Sequence, residues 1–118
     1  MTVSATYKSR SIGTNLTAGS ANIVYECPNN WTAHMVLLFV TNHASGNKTL
    51  TVEWYDNSTS TWYYILGGYT LSAYGYLKLS EGYLVLNAGD KMRITPEAGS
   101  SMSATVTVEE YFDPANRA

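Results

Sequence analysis

Turn-forming clusters interrupt this chain about every ten residues, and between them apolar and polar side chains alternate. The stretch 85–95 shows the pattern most clearly. Val85 and Leu86 lead into Asn87-Ala88-Gly89-Asp90; beyond it Met92 and Ile94 fall on one face and Lys91, Arg93 and Thr95 on the other. Gly89 supplies a positive φ without steric cost, and Asp90 is placed to accept backbone amides where the next strand begins. The pattern predicts two strands joined tightly by that turn. The turn itself carries no chemistry.

The same reading predicts strands over 3–12, 22–27, 33–40, 49–55, 61–66, 76–79, 83–86, 91–95 and 102–112. No segment has a helical period. Eight to nine strands at this spacing indicate an all-β antiparallel β-sandwich, and eight would match a jelly roll. The predicted core is Met35, Leu37, Phe39, Leu50, Val52, Leu86, Ile94, Val106 and Val108. Ile23, Tyr25 and Cys27 should share one face of their strand. Segment 33–40 is apolar on both faces, which requires cover on both sides, from a neighbouring chain if not from this one. The last strand turns Met102, Ala104, Val106 and Val108 inward; its length suits a mid-sheet position tying the chain ends together. Residues 1–112 read as a single sandwich domain, 1–12 as an edge strand or an extended arm, and 113–118 as a short C-terminal tail.

Composition narrows the function classes. Charged residues make up 14% of the 118, against about 25% in an average globular protein. The net charge of −2 gives no basic field, so no direct nucleic-acid or membrane partner is expected. Residues 1–8 contain no apolar run, and no signal peptide is expected. With Cys27 alone, no intrachain disulfide can form. These features fit synthesis and folding in a reducing cytoplasm.

Catalytic groups are sparse. His34 starts a strand and His43 sits in a turn, without the paired spacing of a cupin or zincin metal site. No nucleophile elbow supports a triad built on either histidine with Asp56 or Asp90. Glu109 and Glu110 are adjacent, so a strand sends them to opposite faces. Asp56-Asn57-Ser58 lacks the acidic density of a calcium loop and reads as a plain turn. Cys27 reads as a buried small apolar residue. We expect no enzyme activity, no cofactor and no metal.

The surplus of aromatics is the one feature that exceeds architecture. Trp54, Tyr55, Trp62, Tyr63, Tyr64, Tyr69, Tyr74, Tyr76 and Tyr83 fall within one stretch of the chain, and alternation allows only about half of them to face a core. Outward Tyr and Trp suit protein contacts, since they offer large area at low entropic cost. The candidate interface residues are Tyr55, Tyr63, Tyr69, Tyr74 and Tyr76. Regular alternation predicts that Tyr55 and Tyr63 face away from the side that buries Trp54 and Trp62. Sugar stacking on the same rings is the alternative use.

One resemblance emerges from the order of short motifs. Ile23-Val24-Tyr25-Glu26-Cys27-Pro28 comes first, then a hydrophobic strand ending Val40-Thr41-Asn42. Val85-Leu86-Asn87-Ala88-Gly89-Asp90 follows, and the last strand closes on Glu109-Glu110-Tyr111. This order, over residues 20–111, resembles the small jelly-roll-type virion structural proteins of tailed bacteriophages, which decorate capsids or attach to necks, tails and fibres. The Leu-x-x-Gly-Asp turn also occurs in cupins and in trimeric jelly-roll domains. Where such phage proteins often have Pro-Ala-Gly, this chain has Pro28-Asn29-Asn30. The resemblance implies a virion location and a non-enzymatic capsid decoration (cement) role through subunit packing. It also implies homo-oligomers and other virion proteins, major capsid or neck and tail components, as partners. A neck-, tail- or fibre-associated protein and a carbohydrate-binding β-sandwich module with a glycan partner are the alternatives.

Overall fold

Residues 102–108 alternate strictly, so as a strand the segment presents Met102, Ala104, Val106 and Val108 on one face and polar residues on the other. In the computed structural model, which describes residues 6–117, this segment is the central strand of one of two antiparallel sheets. The strands are β1 (Tyr7–Leu16), β2 (Asn22–Glu26), β3 (Trp31–Asn42), β4 (Lys48–Asp56), β5 (Thr61–Leu71), β6 (Tyr76–Leu79), β7 (Leu84–Leu86), β8 (Lys91–Pro96) and β9 (Met102–Phe112). The first sheet runs β1-β9-β3-β6, with β7 also on β3; the second runs β2-β8-β4-β5. Because β6 pairs with Leu38–Thr41 and β7 with Ala33–Met35, these two are halves of a single interrupted strand. Counted that way, eight strands form a jelly-roll sandwich. Strand 3–12 is the edge strand β1, displaced to Tyr7–Leu16; the arm expected of its first residues lies partly outside the described ones.

The core lies between the sheets, and most of the predicted residues are in it: Met35, Leu50, Val52, Leu86, Ile94, Val106 and Val108 are buried. Leu37 and Phe39 are not. They are half-buried on the outer face, while Leu38 and Val40 point inward. The cause is a β-bulge. Met35 pairs with Val108 and Leu37 with Thr107, so Val36 is an extra residue that moves the alternation by one. The same shift occurs in β2, where the register breaks between Ile23 and Tyr25. Val24, Tyr25 and Cys27 are buried there and Ile23 is exposed, against the predicted grouping. The bulge in β3 faces the gap between β6 and β7: residues 80–83 stand opposite Val36 and Leu37.

The turn at 87–90 does not close a hairpin. β7 belongs to the first sheet and β8 to the second, so the turn carries the chain across the sandwich. Its chemistry is as predicted, with Gly89 at φ 85° and Asp90 buried. Asp90 accepts the amides of Asn87 at 3.0 Å and Asn57 at 2.9 Å, and its own carbonyl accepts the Cys27 amide at 2.9 Å. Asp90 thereby ties its own crossover to the β4–β5 turn through its carboxylate and to the loop after β2 through its carbonyl. Asn42 acts similarly at the β3–β4 and β5–β6 crossovers, its amide donating to the carbonyls of Gly46 and Ser72 while its oxygen accepts the Ala44 amide. The segment after β9 is held down as well. Asn116 donates to the Trp31 carbonyl and the Thr32 hydroxyl, and the Asp113 amide donates to Asn30.

One ionic group ties the two sheets together. Glu110 is fully buried at the inner face of β9. Arg10 of β1 donates to both of its oxygens, at 2.8 and 3.1 Å, and the Tyr25 hydroxyl of β2 donates from the opposite sheet. Lys8 lies 3.8 Å away. Burial pushes the Glu110 carboxyl up, but the hydrogen bonds from Arg10 and Tyr25 and the charges of Arg10 and Lys8 outweigh it and hold the group below its ordinary 4.5. Burial together with the bond to Glu110 pushes the Tyr25 phenol well above its usual range.

Two predictions follow from this packing. Leu38→Ala should cost about 2–5 kcal/mol in chemical denaturation, and Leu37→Ala less than half as much. Equal costs would place the bulge wrongly. Because Glu110 is depressed in the folded state, its stabilising contribution is complete above pH 4.5 and is lost as pH falls through the folded value. Arg10→Met should lower stability at neutral pH by about 1.5–3 kcal/mol and flatten this acid-side dependence, read by denaturant titration across the acid range.

Candidate functional site

The pairing of β4 with β5 settles which aromatic rings share a face. Trp54 pairs with Tyr63 and Tyr55 with Trp62. Residues opposite one another in a ladder point to the same side. Tyr55 and Trp62 therefore lie together on the outer face of the second sheet, rings 4.9 Å apart. Trp54 and Tyr63 stack at 5.5 Å on the other face, where Trp54 packs against the core. The expectation that Tyr55 and Tyr63 share a face opposite both tryptophans is thus corrected. The hairpin turn at 57–60 sets the parity of the register, and strand alternation alone does not reveal it.

Around Tyr55 and Trp62 the outer face of the second sheet is a charged and aromatic cluster. The Arg93 guanidinium sits 3.8 Å over the Trp62 ring and makes a bidentate pair with Glu53 at 2.9 and 3.1 Å. Lys91 lies 5.3 Å from the Tyr55 ring. Such stacking of cations on rings fixes the rings in place. One face of Trp62 is already covered by Arg93.

The remaining predicted interface residues are spread over the molecule. Tyr76 of β6 is 64% exposed and stacks on Phe39 at 5.1 Å, on the outer face of the first sheet. Tyr69 is exposed on β5. Tyr74 is 70% exposed in the loop between β5 and β6. Tyr55 and Tyr76 thus occupy opposite outer faces, and the five residues do not form one patch.

Tyr74 has an unusual backbone. Its φ is +58°, in the left-handed region that a bulky L-residue rarely enters. The loop around it is fixed by its neighbours. The Tyr74 amide donates to the Ala44 carbonyl at 3.1 Å and the Asn42 amide to Gly75 at 2.8 Å, while the Ala73 amide donates to Asn47 at 3.2 Å. Gly75 has no space for a side chain, since a Cβ there would fall 2.4 Å from the Ser72 hydroxyl. The backbone is over-determined, and the result is a ring held out into solvent.

A second aromatic row joins Tyr83 of the surplus stretch to residues outside it. Across the outer face of the first sheet, Tyr7 meets Tyr111 at 5.0 Å, Tyr111 meets His34 at 5.0 Å, and His34 stacks on Tyr83 at 4.5 Å. The Tyr7 hydroxyl donates to Glu109 at 2.7 Å. Leu37, Phe39 and Val85 extend the apolar character of this face. Continuing the outward positions of the last strand from Glu109 to Tyr111 would have found one member of the row. Tyr7 is joined to it only by the pairing of the two chain ends.

The chemistry-bearing side chains are dispersed. His34 is within the aromatic row, and His43 bonds Ser103 at 3.2 Å. Cys27 is buried, with its thiol pushed up to about 11 by desolvation. Glu109 and Glu110 point to opposite faces as expected. Asp56 accepts from the Ser58 amide and hydroxyl within its own turn. Among the described residues no three His, Cys, Asp or Glu side chains are grouped as metal ligands. A groove of about 390 Å³ runs along Lys78, Leu79, Ser80 and Glu81, beside the break between β6 and β7.

No family model matches the chain, and neither does any curated protein. Solved structures do. A chain from Bacillus endospore appendages, described as a novel family of disulfide-linked pili, aligns at 11% identity with TM-score 0.54, covering 95% of this chain and 96% of that one. A mutant VP2 protein of infectious bursal disease virus, from derived T=1 particles, aligns at 11% identity with TM-score 0.57, covering 94% of this chain and 33% of that one. The infectious bursal disease virus particle gives 10% identity and TM-score 0.51, with 97% and 37% covered. This chain spans about a third of the length of those viral chains, and the likeness is one of fold.

Proposed function

We propose that this protein is a non-enzymatic structural subunit of a bacteriophage virion, a capsid decoration protein that works by packing exposed rings against neighbouring subunits. The observation that carries the reading is the display of Tyr64, Tyr74, Tyr76 and Tyr83, each more than 60% exposed, on a frame of paired strands. Large rings held out in solvent by a rigid frame can each serve as an anchor once a neighbouring subunit covers them. The strained backbone of Tyr74 supports the same reading, since strain kept by surrounding hydrogen bonds is concentrated at working positions.

The fold neighbours come from particles and pili, which agrees with a packing role. The route to cohesion differs from that of the disulfide-linked pili: Cys27 is the sole cysteine of this chain and lies buried. In this reading the chain packs against its neighbours through non-covalent contacts. For sugar stacking, a ring needs an open face, and Arg93 already occupies one side of Trp62.

Rebinding of purified protein to phage particles stripped of it tests the proposal. Tyr74→Gly relieves the left-handed strain, so its melting temperature should hold or rise. Its affinity for the particle should fall at least about tenfold, or about 1.4 kcal/mol. Unchanged particle binding together with loss of signal on a glycan array would replace this reading with the carbohydrate-binding one. A map of the rebound particle distinguishes a capsid position from a neck, tail or fibre position.

A further inference from the structure

We propose that the edge strand β5 pairs antiparallel with β5 of a second copy of this chain, with the two Tyr63 residues opposite one another. The inference rests on the reading of the protein as an assembling subunit. It begins with the edges of the two sheets. An open edge invites pairing with another chain, and natural proteins guard it with charges, inward-pointing cations, bulges or brevity. Strand β1 carries Lys8 and Arg10 on its inner side, both directed at buried Glu110. Strand β2 is short, bulged and ends at Glu26. Strands β6 and β7 are short, separated by a break and carry Lys78.

Strand β5 is different. It is eleven residues long, pairs on one side only with β4, and has exposed side chains along most of its length. The chain contains no charged residue between Asp56 and Lys78. Its guard is local: Ile65 is a bulge residue and Gly67-Gly68 breaks the register again. Before those irregularities, Thr61–Tyr64 is a regular ladder whose outer edge pairs with no strand among the described residues.

Three features select a second copy as the occupant. An uncharged strand can face itself without like charges meeting, which β1 with its two cations cannot. The existing ring pairs lead to this edge. Trp54 stacks on Tyr63, and Tyr63 opposite its own copy would continue the row into Trp54 of that copy; on the other face Trp62 would meet Tyr64 of the copy. Finally, two-fold pairing consumes the free edge of both partners, giving a closed dimer whose four-stranded sheets merge into one of eight.

The experiment uses the full chain in light scattering coupled to size exclusion, with melting curves as a folding control. The native chain should be a dimer. Tyr63→Lys and Tyr63→Glu should each be folded and weaken dimerisation at least about tenfold, and an equimolar mixture of the two should recover a heterodimer. Tyr63→Cys should form an intermolecular disulfide on mild oxidation, because directly opposed residues have the Cα separation a disulfide needs. A monomeric native chain, or a dimer indifferent to both charged variants and not linked through Tyr63→Cys, overturns the proposal. Should that occur while particle binding persists, the structural-subunit reading stands and the β5 pairing alone falls.

Discussion

Everything in this sandwich is organised around β9. Its eleven residues pair with β1 on one side and β3 on the other. They place Met102, Ala104, Val106 and Val108 in the core, and Glu110 at the junction of both sheets. A strand so placed determines the register of two neighbours at once, and through Glu110 it also restrains β2 in the opposite sheet. The outer faces inherit their composition from the same alignment. Tyr111 can sit between Tyr7 and His34 only because β1, β9 and β3 are aligned at those residues.

Buried polar groups divide the remaining work. Asp90 and Asn42 each divide their hydrogen bonds between the backbone of their own turn and that of a loop distant in sequence. A buried polar side chain is stable only when its bonding capacity is met, and here meeting it fixes the crossovers. The consequence for the surface is direct, since the loop held by Asn42 and Asn47 is the one that presents Tyr74.

Most of the fold was legible from local patterns. Alternation and turn chemistry are properties of neighbouring residues, so strand positions and the chemistry of Gly89 and Asp90 could be read directly. What escaped depends on the partner strand. The bulges at Val24 and Val36 part Ile23 from Tyr25 and Cys27 and move Leu37 and Phe39 out of the predicted core, and nothing in those residue types marks the extra position. Sheet membership escaped for the same reason, and the 87–90 turn reads identically whether it closes a hairpin or crosses the sandwich. The candidate surface was legible in its residues and not in its grouping. Tyr74 and Tyr76 are exposed as expected, while the partition of Tyr55 from Tyr63 depends on the parity of one turn.

The strand order also bears on how the molecule is made. Among the described residues, β4 and β5 are consecutive strands that hydrogen-bond to one another, whereas β1 must wait for β9 at the far end of the chain. Hairpins close within microseconds; contacts between distant segments form slowly because loop-closure entropy must first be overcome. The β4–β5 hairpin can therefore pair while the chain ends are still apart, with its uncharged edge open before the sandwich forms. Nascent chains crowded on one messenger can meet through this edge before either sandwich has closed.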